Sequence, residues 1–186
     1  MPKSTFVWDT TGLLHAEACD RVDVLLDAAG PLRQHIVPAG VAMELTRIGH
    51  RPSDERLQVR DLSKSEEIAT LWKWMTLLGS SVDGKNSGEA WVAAVAESQN
   101  AVAIIDDQQA RSVIQKHSQD LEVHGVLWAI SRGVVEERVQ GPQAYTGLCD
   151  QMLNAYRGNC FSELRWPFGV GGYPEWYAKE RQNGSL

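Results

Sequence analysis

Residues 101–107 read Ala-Val-Ala-Ile-Ile-Asp-Asp. An unbroken apolar run, without alternation, is the pattern of a strand covered on both faces, as in a parallel sheet between layers of helices. The two aspartates that follow put negative charge at the carboxyl end of that strand. In open parallel sheets ligands bind outside the carboxyl ends of the strands, where the strand order reverses. The stretch therefore predicts an architecture and, within it, the place to look for a site.

Outward from this run, short strands alternate with helices. Strands are expected at Thr5–Trp8, Gln34–Val37, Leu57–Leu62 and Leu121–Val123. Thr10 or Thr11 can cap a helix that carries Leu13, Leu14 and Ala18, and a second helical stretch, 22–28, stops at Gly30-Pro31. Residues 40–48 place Val41, Leu45 and Ile48 on one helical face, with Gly49 set to end the helix. Ser63-Lys64-Ser65-Glu66 has the form of a capping box before the run 68–78. Residues 79–88 are polar and glycine-containing, a connection or a lid, and 89–98 form an alanine-rich helix. Helices are also expected at 111–116, from Val126 onward and at 143–156. The expected fold is α/β, a three-layer α/β/α arrangement with a central parallel sheet. Beyond Arg165 glycine, proline and aromatic residues dominate, so the domain is read as 1–164 and 165–186 as an irregular C-terminal tail.

Composition narrows the function. Of 186 residues 43% are hydrophobic, enough for a continuous core, and no window approaches the roughly 18 apolar residues of a membrane span. The N-terminus lacks the pattern of a signal peptide, and three irregularly spaced cysteines read as reduced thiols, so a cytoplasmic protein is expected. A net charge of −6 argues against a protein that coats nucleic acid by bulk positive charge. It leaves room for an enzyme that meets a phosphodiester through a bound metal.

Acidic residues recur where this fold would focus them. Asp9 ends the first strand, Glu44 lies on the helix after the second, Glu89 opens the alanine-rich helix, and Asp106 and Asp107 end the buried strand. Each has an ordinary reading alone: Asp9, Asp106 or Asp107 as a helix cap, Glu44 as a partner of Arg47, Glu89 as a first-turn dipole partner. Together, carboxylates brought within a few Å repel one another unless a cation lies among them. All-oxygen ligation suits Mg²⁺ or Mn²⁺ rather than zinc.

In this order the motifs resemble those of PIN domains. The segment from Phe6 to Leu14, with Asp9 followed by hydroxyl residues, looks like their opening strand. Val37-Pro38 through Leu45 looks like their second acidic motif. Gly88-Glu89-Ala90 and the run to Asp106-Asp107 with Ala110-Arg111 resemble the third and fourth, and 121–127 the next strand and helix. The likeness spans about residues 4 to 164 and is nearest to VapC-type toxins. It departs at Val126, where the family often has a threonine. The resemblance implies a metal-dependent ribonuclease that cleaves RNA with Mg²⁺ or Mn²⁺, without a protein nucleophile. Its metal ligands would be Asp9, Glu44, Glu89 and one of Asp106 and Asp107, the family register favouring Asp107. Thr11 would support the site by a hydrogen bond. A cognate antitoxin and a homodimer are further implications.

Arg47, Arg51, Arg56, Arg60, Arg111 and Lys116 could rim an RNA path or simply face solvent. Trp72 and Trp74, two apart on one helix, cannot share a face, so one is expected in the core and one outside. The histidines lack ligand spacing and read as structural or solvated. Two rivals stand beside the nuclease. One is a PIN fold that only binds a partner. The other is an aspartate-nucleophile phosphatase of the haloacid-dehalogenase type, which wants an aspartate where this chain has Thr11.

Overall fold

The computed structural model describes residues 4–51, 54–80, 87–155 and 166–186. The chain divides into two compact units, Met1–Leu13 with Leu32–Val126, and Leu14–Pro31 with Leu127–Leu186.

The first unit is built on a sheet of five strands: β1 (Thr5–Trp8), β2 (Gln34–Pro38), β3 (Leu57–Arg60), β4 (Val102–Ile104) and β5 (Val123–His124). Their order is β3-β2-β1-β4-β5 and every pairing is parallel. With helices flanking the sheet, this is the α/β class that the alternating sequence predicts. The central strands are apolar because both faces are covered: Phe6, Val7, Trp8, Val102, Ala103 and Ile104 are all buried. From β1 the chain steps outward to β2 and β3, then returns to place β4 on the other side of β1. The strand order thus reverses between β1 and β4, and their carboxyl ends carry Asp9 and Ile105-Asp106. The Asp9 backbone N–H donates to the Ile104 carbonyl at 3.0 Å and extends the pairing past the end of β1.

Helix α1 (Thr10–Ala18) begins in this unit, which also holds α3 (Ala39–Arg47), α4 (Ser65–Leu78), α5 (Ser87–Gln99) and α6 (Gln108–His117). Helix α5 lies on β1, β2 and β4 and against α3 and α4. Its Ala90 and Val92–Ala96 are completely buried, as expected for a helix that is apolar nearly all round. Small residues set the α3–α5 approach. A Cβ on Gly40 would stand 2.3 Å from the Trp91 ring, so only glycine lets the two helices meet there. On α4 Trp74 is buried and donates to Glu97 Oε2 at 2.6 Å, whereas Trp72 is 56% exposed. The N-terminus of α4 is closed one residue later than the sequence suggests: Glu67, not Glu66, accepts the N–H groups of Ser63 and Lys64, both at 3.2 Å.

The second unit contains most of α1, α2 (Val22–Ala29), most of α7 (Val126–Val135), a 3₁₀ turn (Pro142–Tyr145), α8 (Thr146–Ala155) and α9 (Tyr173–Gln182). The stretch expected to be an irregular tail therefore ends in a helix. The glycines and proline that suggested irregularity start it instead. Gly171 takes the left-handed conformation, its N–H donates to Asp150 Oδ1 at 2.7 Å, and Pro174 occupies the first turn of α9, where its missing N–H costs nothing. Tyr173 is fully buried among Phe168, Trp176 and Tyr177, and its hydroxyl meets Ser131 Oγ at 3.0 Å.

Among the described residues no helix is long and apolar enough to cross a membrane. Cys19 and Cys149 are free thiols, while Cys160, Tyr156 and residues 81–86 of the polar connection lie outside the described residues.

Candidate functional site

Asp9, Glu44, Glu89 and the Asp106–Asp107 pair lie on four separate segments of the chain. Asp9 follows β1 directly and is 5% exposed. Glu44 projects from α3, the helix that Pro38 starts by ending β2. Glu89 lies in the first turn of α5. Asp106 and Asp107 follow the last residue of the apolar run, Ile105.

Hydroxyl groups tie Glu44 to its neighbours. Thr10 Oγ1 donates to Glu44 Oε2 at 2.6 Å, and Ser87 Oγ donates to Glu44 Oε1 at 2.8 Å. Gly88 marks where two acids converge. A Cβ built there would lie 2.8 Å from Glu44 Oε2 and 3.1 Å from Asp9 Oδ1, so the absent side chain lets the backbone pass close to both carboxylates.

Electrostatics reports the same convergence. Burial pushes the Asp9 carboxyl well above the usual carboxylate range, and the negative charges of Glu89, Glu44 and Asp106 push it further; the Thr10 backbone N–H, bonded to it, pulls the other way. Burial likewise raises Glu89, opposed by its own backbone N–H and reinforced by Glu44 and Asp107. Glu44, Asp106 and Asp107 thus each act on Asp9 or Glu89.

The last two aspartates have divided duties. Asp106 Oδ1 accepts the Val126 N–H at 2.8 Å, capping the start of α7 from another element. Asp107 is the N-cap of α6, where its Oδ1 accepts the Ala110 N–H at 2.7 Å. Asp106 is half-buried and acts on Asp9, whereas Asp107 is exposed and acts on Glu89.

The hydroxyl on Glu44 belongs to Thr10. Thr11, the hydroxyl that the family likeness put forward, stands one residue further along α1 and is half-buried. Asp-Thr-Thr offers two adjacent hydroxyls, and only the turn from β1 into α1 decides which one faces α3. Ser87 went unnoticed because it precedes the Gly-Glu pair that draws attention. Among the basic residues, Arg111 Nη1 donates to the carbonyls of Ile105 and Asp106 at 2.7 and 2.8 Å, so it braces the acidic strand end. Arg56 pairs with Asp54 and Arg60 with Glu67, both at 2.6 Å. Arg47 and Arg51 are exposed.

The donor set fits a hard divalent cation. It is made of carboxylate and hydroxyl oxygens, and its most buried member, Asp9, feels the negative charges of Glu89, Glu44 and Asp106. Among the described residues no three acidic, histidine or cysteine side chains already stand together as ligands of one ion.

The fold and the site define a parallel α/β protein whose acidic residues lie where the strand order reverses. The sequence profile of one family, described as PIN domain, matches residues 5–158, and the chain belongs to that family. Among solved structures, one chain of the crystal structure of VapBC2 from Rickettsia felis bound to a DNA fragment from their promoter is similar. The identity is 14%, the match covers 65% of this chain and 98% of that one, and the TM-score is 0.46. No curated protein matches the chain.

Proposed function

We propose that this PIN-domain protein is a divalent-cation-dependent endoribonuclease and the toxin of a toxin–antitoxin pair. The observation that carries the nuclease reading is Asp9, buried at the switch point with Glu44, Glu89 and Asp106 all acting on it. A fold gains nothing in stability from gathering like charges around a buried carboxylate, so the arrangement calls for a positive partner. Asp9, Glu44, Glu89 and the Asp106–Asp107 pair would hold Mg²⁺ or Mn²⁺. When bound, the cation supplies positive charge for a phosphodiester oxygen and lowers the pKa of water. The chain's own residues bind and orient. Thr10 and Ser87 aim Glu44, Gly88 lets the backbone of α5 pass close to Asp9 and Glu44, and Arg111 fixes the strand end that carries Asp106. No side-chain nucleophile is needed. The toxin reading rests on the likeness of the sequence motifs to VapC-type proteins.

The test is cleavage of total RNA in Mg²⁺ or Mn²⁺, with EDTA as control. Asp9→Asn should abolish cleavage while the chain stays folded, and undiminished cleavage by that variant would remove the assignment. For the toxin reading, the product of the adjacent open reading frame should co-purify with this chain and suppress cleavage. A neighbour that neither binds nor inhibits would leave a nuclease without the toxin role.

A further inference from the structure

Glu44 is held through both oxygens of its carboxylate. Both of its carboxylate oxygens accept a hydroxyl, Oε2 from Thr10 and Oε1 from Ser87. The two donors come from separate elements, the first residue of α1 and the first residue of α5. A glutamate side chain has three rotatable bonds and lies loosely on a helix unless something fixes it. The 2.6 and 2.8 Å contacts are well within the range of good O–H···O hydrogen bonds. A carboxylate has roughly four lone-pair directions, so two hydroxyl donors leave about two free for a further ligand. Thr10 also serves the neighbouring acid, since its backbone N–H bonds the Asp9 carboxyl. One residue therefore bonds both Asp9 and Glu44, and Gly88, directly after Ser87, lets the backbone approach both carboxylates closely.

We infer that Thr10 and Ser87 are positioning residues that clamp Glu44 by both carboxylate oxygens and preorganise it as a cation ligand. The inference rests on the proposed cation site and adds to it the two residues that orient one ligand. Groups that orient a metal ligand from behind typically change metal affinity by 10- to 100-fold when removed, roughly the size expected here.

Mn²⁺ titration followed by thermal shift provides the first arm. Thr10→Val and Ser87→Ala should each move the Mn²⁺ midpoint about tenfold or more to weaker binding, whereas Thr10→Ser and Ser87→Thr, which keep the hydroxyl, should restore it. A structural role alone would lower the melting temperature without moving that midpoint. The second arm needs no metal. In EDTA, Thr10→Val and Glu44→Ala should cost less together than the sum of the two alone, because they break the same bond. Additive losses in EDTA, or an unmoved midpoint in both hydroxyl-free variants, would overturn the clamp. If the unaltered chain shows no Mn²⁺-dependent shift, the cation site and the preorganising role fall together, and non-additivity in EDTA then shows that the hydrogen bonds exist without that role.

Discussion

Asp9 concentrates the electrostatic cost of this fold. Its carboxyl is raised by burial first and by three acids next, so without metal the folded chain gives up that proton at a higher pH than the unfolded chain does. The sign of the consequence follows from linkage. A carboxyl whose pKa is higher folded than unfolded removes stability as pH rises above the unfolded value of about 3.9. Glu89 acts in the same direction. Metal-free protein should therefore lose stability as pH is raised from about 4 toward neutrality, as far as these two groups govern it. Asp9→Asn should flatten that slope and raise the melting temperature at pH 7 in EDTA by a few degrees, since about 1 kcal/mol corresponds to roughly 2–4 °C at this chain length. Calorimetry across pH in EDTA checks both, and a variant that melts lower than the parent at pH 7 would contradict the burial argument. Binding of a divalent ion should reverse the trend, because the same carboxyls must be ionised to ligate it; Mn²⁺ affinity should then fall as pH drops.

Among the elements, α5 does most to assemble the site, and its close approach to α3 depends on one glycine. Gly40 faces the Trp91 ring so tightly that a methyl group would meet it at 2.3 Å. Gly40→Ala should destabilise by about 1–3 kcal/mol through overpacking. Urea unfolding of Gly40→Ala, Trp91→Ala and the double variant checks this: with the ring gone the added methyl should cost little, so the double variant should lose less than the sum of the singles. The sequence foretold α5 well, because alanine and valine on all sides of a helix leave burial as the only stable outcome. It foretold the start of α4 less well. Glu66 and Glu67 are both acidic residues near that start, and which one reaches back to Ser63 and Lys64 depends on where the helix begins, a matter of about one residue of phase.

Across the whole molecule the C-terminal region is a packed element. Helix α9 contacts α8 and the 3₁₀ turn, and Tyr173 is fully buried. Tyr173→Ala should cost about 3 kcal/mol or more, while Tyr173→Phe, which loses only the hydroxyl bond to Ser131, should cost about 1 kcal/mol. Chemical denaturation of both variants distinguishes this packing from a loosely attached tail, for which neither change would matter. The net charge of −6 bears on substrate binding at the same scale. If RNA is the substrate, single-stranded RNA should bind a cleavage-dead Glu89→Gln chain weakly in EDTA and more tightly with Mg²⁺, by fluorescence anisotropy, because the chain itself carries no excess of positive charge.

The α/β class, the parallel sheet and the positions at which acids could meet are legible in the chain of residues. Short apolar runs that alternate with helical segments fit covered strands, and an aspartate directly after such a strand lies at its carboxyl end wherever the strand sits. Tertiary structure alone decided that Thr10 rather than Thr11 faces Glu44, that Ser87 completes the pair, that Asp106 and Asp107 cap different helices, and that the Gly- and Pro-rich end becomes α9. Those outcomes turn on side-chain direction and on contacts between residues far apart in the chain, such as Ser87 with Glu44 or Tyr173 with Ser131. Local patterns record periodicity and composition, but a partner many residues away leaves no mark in them.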